Sequence, residues 1–385
     1  MDQTSPIAGH WATLPTAVIA IILRYVAQEA AADNTLARYA AVNKDWQYLF
    51  EQFTFRSLDL IPDDLAEFEA VVSIHSDRRR WLRTASLQVP DRARDGAHLN
   101  HLDGGSAEQP SEQEASQAVA SLLRLLKKWH TDSNLRLALH LSAPTASSPL
   151  SGRRNMLHQS DQVGLEHIVG EVPAIKRFSI RYRDGQIIYS RAIIGLCSKL
   201  PDLEELCLQD VHPEGDHHNE HTKHLQIATL TPEFPTTLKR LHVLGQDGTR
   251  TSDASRFLVQ RLAWFGMATG LHELSITTSG DAADEFFEYF RNLKPVSSAS
   301  GITCSHWPAL RSLTLACSLL KPGTPHAAIN RILHQFGMVA MDLPELRGLR
   351  LLSYSTRRSG EIDGFFYYVV RGQGINTAIC FSKSA

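Results

Sequence analysis

The sequence has no apolar run long enough to cross a bilayer. Its longest near the N-terminus, Ala17 to Leu23, covers roughly seven residues against the about 20 that a membrane helix needs. No basic segment precedes that run, so a secretory leader is not expected either. Cysteine is scarce: Cys197, Cys207, Cys304, Cys317 and Cys380 are widely spread and form no C-x-x-C pair. This argues against a disulfide framework or a zinc ribbon and points to a reducing compartment, cytoplasm or nucleus. Net charge is nearly absent at -2, so no global field draws the chain to nucleic acid or to an anionic membrane. The chain also lacks G-x-x-x-x-G-K-[ST] and G-x-S-x-G, which removes a P-loop and a hydrolase elbow. Gly372-Gln373-Gly374 has no third glycine and no following helix, and reads as a hairpin turn. With 43% hydrophobic residues the chain is not disordered, and 385 residues exceed a single core. Two domains, or one domain with an elongated array, are expected.

What is present begins at Thr13, which can cap a helix opened by Leu14-Pro15, since proline is tolerated in a first turn. Val18, Ile19, Ile22, Leu23 and Val26 recur at helical spacing and predict one apolar stripe. A second helix is predicted from about Thr35, with Leu36, Tyr39, Ala40 and Val42 inward. A third starts near Lys44 and carries Trp46, Leu49, Phe50 and Phe53. Asp63-Asp64 introduces a further helix over Leu65 to Ile74. The run Arg78-Arg79-Arg80 reads as a solvated helix end, and the alternating Ala85, Leu87 and Val89 read as a strand. Residues 91–116 and 142–160 are polar and aperiodic and are read as insertions. Between them lie an amphipathic helix (Val119, Leu122, Leu123, Leu126, Trp129) and a strand with alternating leucines, Leu135 to Leu141.

From residue 172 one phrase returns, L-x-x-L-x-L after a proline or glycine. Its first copies are Ile175-Phe178-Ile180, Leu203-Leu206-Leu208 and Leu238-Leu241-Val243. Three more follow as Leu271-Leu274-Ile276, Leu310-Leu313-Leu315 and Leu346-Leu349-Leu351. Leu82, Ala85 and Leu87 read as an earlier, degenerate copy. The starts lie about 28 to 38 residues apart, slightly long for a leucine-rich array. The last two leucines of each phrase share one face of a short strand, and the first closes the turn before it. Helical stretches stand between, such as Arg256 to Phe265, Ala282 to Leu293 and Ala328 to Met338. Repetition of strand, turn and helix predicts an α/β solenoid with a curved parallel sheet and helices outside it. Phe365 to Val370 reads as a terminal strand closing the last repeat.

The N-terminal pattern Leu14-Pro15-Thr16-Ala17-Val18-Ile19, Ile22-Leu23, Leu36 and Val42-Asn43-Lys44-Asp45-Trp46 resembles an F-box. The following Phe53-Thr54-Phe55-Arg56-Ser57-Leu58-Asp59-Leu60 resembles the continuation found in fungal F-box proteins. Ala17 stands where that family prefers glutamate. The resemblance divides the chain into an F-box-like three-helix module at 11–58 and an irregular leucine-rich-repeat-like domain at 59–385. It implies docking on a Skp-family adaptor, and through it on a cullin–RING ubiquitin ligase. The matching adaptor-facing or module-core positions are Leu14, Pro15, Val18, Ile19, Ile22, Leu23, Val42 and Trp46. The repeat region would hold an unknown protein substrate, with no catalysis, metal or cofactor in this chain. Trp46 is a natural hot spot, since aromatic anchors often cost about 2 kcal/mol or more on truncation. The alternative is a repeat scaffold whose N-terminal helices cap the array, with no role in ubiquitin transfer.

The histidine-rich segment 212–224 carries His217, His221 and His224 at helical ligand spacing, able to hold zinc or nickel weakly. It is not H-E-x-x-H and falls between two repeats. It is read as a solvated insertion without a physiological metal.

Overall fold

The computed structural model describes residues 14–32, 35–74, 76–89, 110–129, 135–142, 154–157, 170–181, 186–188, 190–209, 234–244, 253–277, 282–292, 307–320, 324–353, 365–372 and 375–382. The chain is of mixed α/β type and divides into two compact units, Met1–Ser86 and Leu87–Ala385.

The first unit opens with helices α1 (Thr16–Ala32), α2 (Leu36–Ala40) and α3 (Lys44–Thr54). α1 starts directly after Pro15, whose carbonyl accepts from the Val18 and Ile19 amides at 2.8 and 3.1 Å. Thr13 lies outside the described residues. Asn43 caps α3 by accepting the Trp46 amide at 2.9 Å. The three helices close on Leu23, Ala27 and Phe50, with Ile19, Val26, Leu36, Tyr39, Trp46 and Phe53 packed around them. Tyr39, Trp46 and Phe50 stack with centroids 5.3 to 6.4 Å apart. Strand β1 (Ser57–Leu60), α4 (Leu65–Ile74), α5 (Ser76–Trp81) and β2 (Thr84–Gln88) follow. The Arg78-Arg79-Arg80 run is not the solvated helix end its composition predicts. Arg78 is mostly buried, pairs with Glu51 at 2.8 Å, donates to the Val71 carbonyl and lies over the Phe55 ring. Arg79 donates to the Val72 and Ser73 carbonyls, and only Arg80 stays exposed. Guanidinium groups suit this because one planar fork can satisfy several acceptors at once.

The second unit carries the repeat. Strands β3 (Leu137–Ser142), β5 (Ile175–Arg181), β7 (Glu205–Gln209), β8 (Arg240–Leu244), β9 (Glu273–Ile276), β10 (Ser312–Ala316) and β11 (Gly348–Leu352) pair in parallel in that order. Two antiparallel strands, β12 (Phe365–Gly372) and β13 (Ile375–Ser382), complete the sheet, with Gly372 opposite Ile375; residues 373–374, where a turn is expected, lie outside the described residues. A separate parallel pair joins β4 (Arg154–Leu157) to β6 (Gln186–Ile188). Helices α6 (Pro110–Lys127), α7 (Ser190–Cys197), α8 (Asp253–Thr269), α9 (Ala282–Asn292) and α10 (His326–Asp342) intervene.

The phrase L-x-x-L-x-L becomes two columns of stacked side chains. Phe178, Leu206, Leu241, Leu274, Leu313 and Leu349 form one, and Ile180, Leu208, Val243, Ile276, Leu315 and Leu351 the other. All are fully buried. Each such side chain contributes about 1.5 to 3 kcal/mol relative to exposure. The first residue of the phrase closes the preceding turn: the Ile175, Leu203, Leu238 and Leu346 amides donate to the carbonyl three residues back. Register is set just beyond it. The Glu204 carbonyl accepts the successive amides of Lys239 and Arg240, both at 2.9 Å. The same fork recurs from Lys239 to His272 and Glu273, from His272 to Arg311 and Ser312, and from Arg311 to Arg347 and Gly348. It also occurs in the first unit, where Arg56 accepts from Arg83 and Thr84, at the copy with Leu82, Ala85 and Leu87.

Where glycine replaces proline at the head of a copy, the backbone explains it. Gly270 ends α8 with φ of 68°, a left-handed turn that costs an L-residue energy. Gly266 faces the buried Trp307, whose ring atoms would stand 2.6 Å from an added Cβ. Two expected insertions are shorter than composition predicts. α6 already begins at Pro110, a residue suited to a first helical turn, and β4 occupies 154–157. The remainder of 91–116 and of 142–160, apart from Ser142 itself, lies outside the described residues, as does all of 212–224.

The columns make a direct test possible. Leu274→Ala removes a buried side chain between two equally buried neighbours and should cost about 2–5 kcal/mol. Urea denaturation should show a lower midpoint with an unchanged slope.

Candidate functional site

Two surfaces stand out, one on each unit. In the helical unit the eight positions marked by the F-box-like pattern separate into two groups. Leu23 is buried in the helical core, Ile19 and Trp46 are half-buried against it, and Leu14 is half-buried. Pro15, Val18, Ile22 and Val42 are exposed. Val18 and Ile22 are therefore not on the inward stripe with Ile19, Leu23 and Val26, and Val42, at 57% exposure, does not point inward. The reason is geometric. At 100° per residue, 19, 23, 26, 27 and 30 share one side of α1, while 18, 21, 22 and 25 share another.

That second side adds Ile21 (55% exposed) and Tyr25 (66%), which the motif does not single out. The signal was present as a second helical stripe, masked because α1 is apolar on both sides. A surface helix normally turns its apolar stripe to the core and a polar face to water. Val18, Ile21, Ile22 and Tyr25 instead present an apolar face outward.

On the second unit, the strand residues that alternate with the buried columns lie on the sheet's other face. One row runs His140, Ser179, Cys207, His242, Ser275, Thr314 and Arg350, each opposite the next in register. Ser275 and Thr314 are themselves buried, and the rest of this row is half-buried or exposed. His140 Nδ1 contacts Ser179 Oγ. A second row alternates in charge as Arg177, Glu205, Arg240 and Glu273. Glu205 Oε2 receives Arg240 Nε at 2.8 Å and stands 3.4 Å from Arg177 Nε. Cross-strand pairs of this kind contribute about 0.2–1 kcal/mol each. A third row lies at the N-terminal rim, at the forked carbonyls: Lys176, Glu204, Lys239, His272, Arg311 and Arg347. Partial burial works against the Glu204 carboxylate. The hydrogen bonds and charges of Lys239 and Arg136 outweigh it and hold its pKa below the ordinary range.

Two thiols on this unit, Cys197 and Cys207, are poor nucleophiles. Burial pushes Cys197 up to about 12, and burial together with Glu205 pushes Cys207 up to about 11. Among the described residues no group of three or more His, Cys, Asp or Glu is placed to hold a metal ion, and no helix is long and apolar enough to cross a membrane.

Residues 217–382 match DUF6546, a family of unknown function. The match spans under half of the chain and covers the C-terminal repeats, from β8 to β13. Nothing among curated proteins matches the sequence.

His272 supplies a pH test. Its pKa is lowered from 6.5 by partial burial, then by the charges of Arg311, Lys239 and Arg240. The unfolded chain therefore takes up this proton at a higher pH than the folded one. The stabilising effect is complete above the ordinary value and is lost as pH falls through the folded value. His272→Gln should flatten that part of the acid-side loss, read as denaturation midpoints from about pH 8 to 5. Identical slopes in both proteins would contradict it.

Proposed function

We propose that the chain is the substrate-receiving subunit of a Skp–cullin–F-box ubiquitin ligase. The helical unit docks on a Skp-family adaptor and the sheet unit holds a target protein. The observation that carries this reading is the outward apolar face of α1, Val18, Ile21, Ile22 and Tyr25, with Val42 also exposed. It occurs on a three-helix module that follows the Leu14-Pro15 to Trp46 pattern of the F-box. The module has its own core in Leu23, Ala27 and Phe50, so the exposed side chains are not needed to hold it together. An unpartnered apolar face on an otherwise packed module marks an interaction surface. On this reading the chain does no chemistry and raises the local concentration of target near the transferring subunits.

The division of α1 decides how to test it. Trp46 stacks on Tyr39 and Phe50, so Trp46→Ala would weaken the fold as well as any interface. Val18→Asp with Ile22→Asp alters only the outward side. The wild type should co-purify stoichiometrically with a Skp-family adaptor. The double variant should lose capture while its circular dichroism and melting temperature stay unchanged. A well-folded wild type that captures no adaptor would remove the ligase role and leave a repeat scaffold with a helical cap.

A further inference from the structure

The rim row changes character along the sheet. At its start cations are neutralised within the unit: Lys176 meets Asp202 at 2.6 Å, and Glu204 serves both Arg136 at 3.0 Å and Lys239 at 3.4 Å. Beyond Lys239 the next three rungs are His272, Arg311 and Arg347, with no carboxylate among them. Arg311 and Arg347 are exposed and have no ion-pair partner among the described residues. Glu345 stands just before Leu346, the place from which Asp202 reaches Lys176, yet it does not pair with Arg311. The forked carbonyls hold these rungs one strand apart, so four of them span about 14 Å. The lowered pKa of His272, with burial as its first cause and Arg311, Lys239 and Arg240 as the next, registers the positive potential there.

We propose that the rim from Lys239 to Arg347, with Arg311 and Arg347 as its principal cations, binds an acidic peptide segment of a partner protein. Guanidinium groups are suited to carboxylates because their N–H forks donate to both oxygens. The extent of the row fits a few successive carboxylates along a short segment. A nucleic acid fits worse, since the chain's net charge of -2 gives no extended positive field for a phosphate backbone to follow. The proposal rests on reading the sheet unit as the target-holding half and is independent of adaptor docking.

The test is fluorescence anisotropy with the full chain and a labelled Asp/Glu-rich peptide at low salt. Its controls are a matched Asn/Gln peptide and an unlabelled single-stranded oligonucleotide as competitor. The acidic peptide should bind and the amide peptide should not, with affinity falling as salt rises. Arg311→Ala with Arg347→Ala should weaken binding roughly tenfold, the scale of two exposed ion pairs lost together. Arg80→Ala on the helical unit should leave it unchanged. Arg311→Glu with Arg347→Glu should abolish it, with circular dichroism of each variant showing the sheet intact. Equal binding of both peptides, equal binding by the double alanine variant, or an oligonucleotide that binds more tightly than the peptide would overturn the proposal. Adaptor capture measured on the same preparations reads the ligase role separately, so failure of one does not imitate failure of the other.

Discussion

One hydrogen-bonding arrangement governs the second unit: a single carbonyl at the start of each of β7 to β10 accepting two successive amides of the next strand. From Glu204 through Arg311 it repeats without change of register. A slip of one residue would turn every inward leucine outward, because side chains alternate along a strand. The fork acts where the chain enters each strand, and the two leucine columns then follow. Backbone satisfaction and apolar burial therefore favour the same alignment, which is how a sequence comes to specify one structure.

The same arrangement separates stability from surface chemistry. Inward positions are uniformly aliphatic or aromatic and fully buried. Outward positions in one row are as different as His140, Cys207, His242 and Arg350. The helical unit reaches a comparable division on one helix, where Leu23 and Ala27 hold the core while Ile21 and Tyr25 face water. Its rigidity comes from the aromatic stack of Tyr39, Trp46 and Phe50, and from Arg78 linking α5 to α3 through Glu51.

Much of this was legible beforehand, because it depends on periodicity. Six copies of one phrase predicted six parallel strands in order, and the helical stretches read from 3.6-residue spacing at 256–265, 282–293 and 328–338 fall on the helices Asp253–Thr269, Ala282–Asn292 and His326–Asp342. The orientation of α1 was not legible. A helix apolar on two sides has no unique moment, so Val18 and Ile22 were grouped with Ile19 and Leu23. The burial of Arg78 was hidden as well, since its partner Glu51 lies 27 residues away and local composition suggests solvent. The positive rim was invisible for a third reason. Lys239, His272, Arg311 and Arg347 are far apart in sequence and become neighbours only through the register.

The chain between successive forks is of unequal length, yet the aligned positions Phe178, Leu206, Leu241, Leu274, Leu313 and Leu349 still meet. The outward face is thereby addressable. A change at Cys207 or His242 alters one point on a grid about 4.8 Å wide and leaves its neighbours' positions alone. Such a surface can exchange one partner for another in single steps, without passing through an unfolded intermediate sequence.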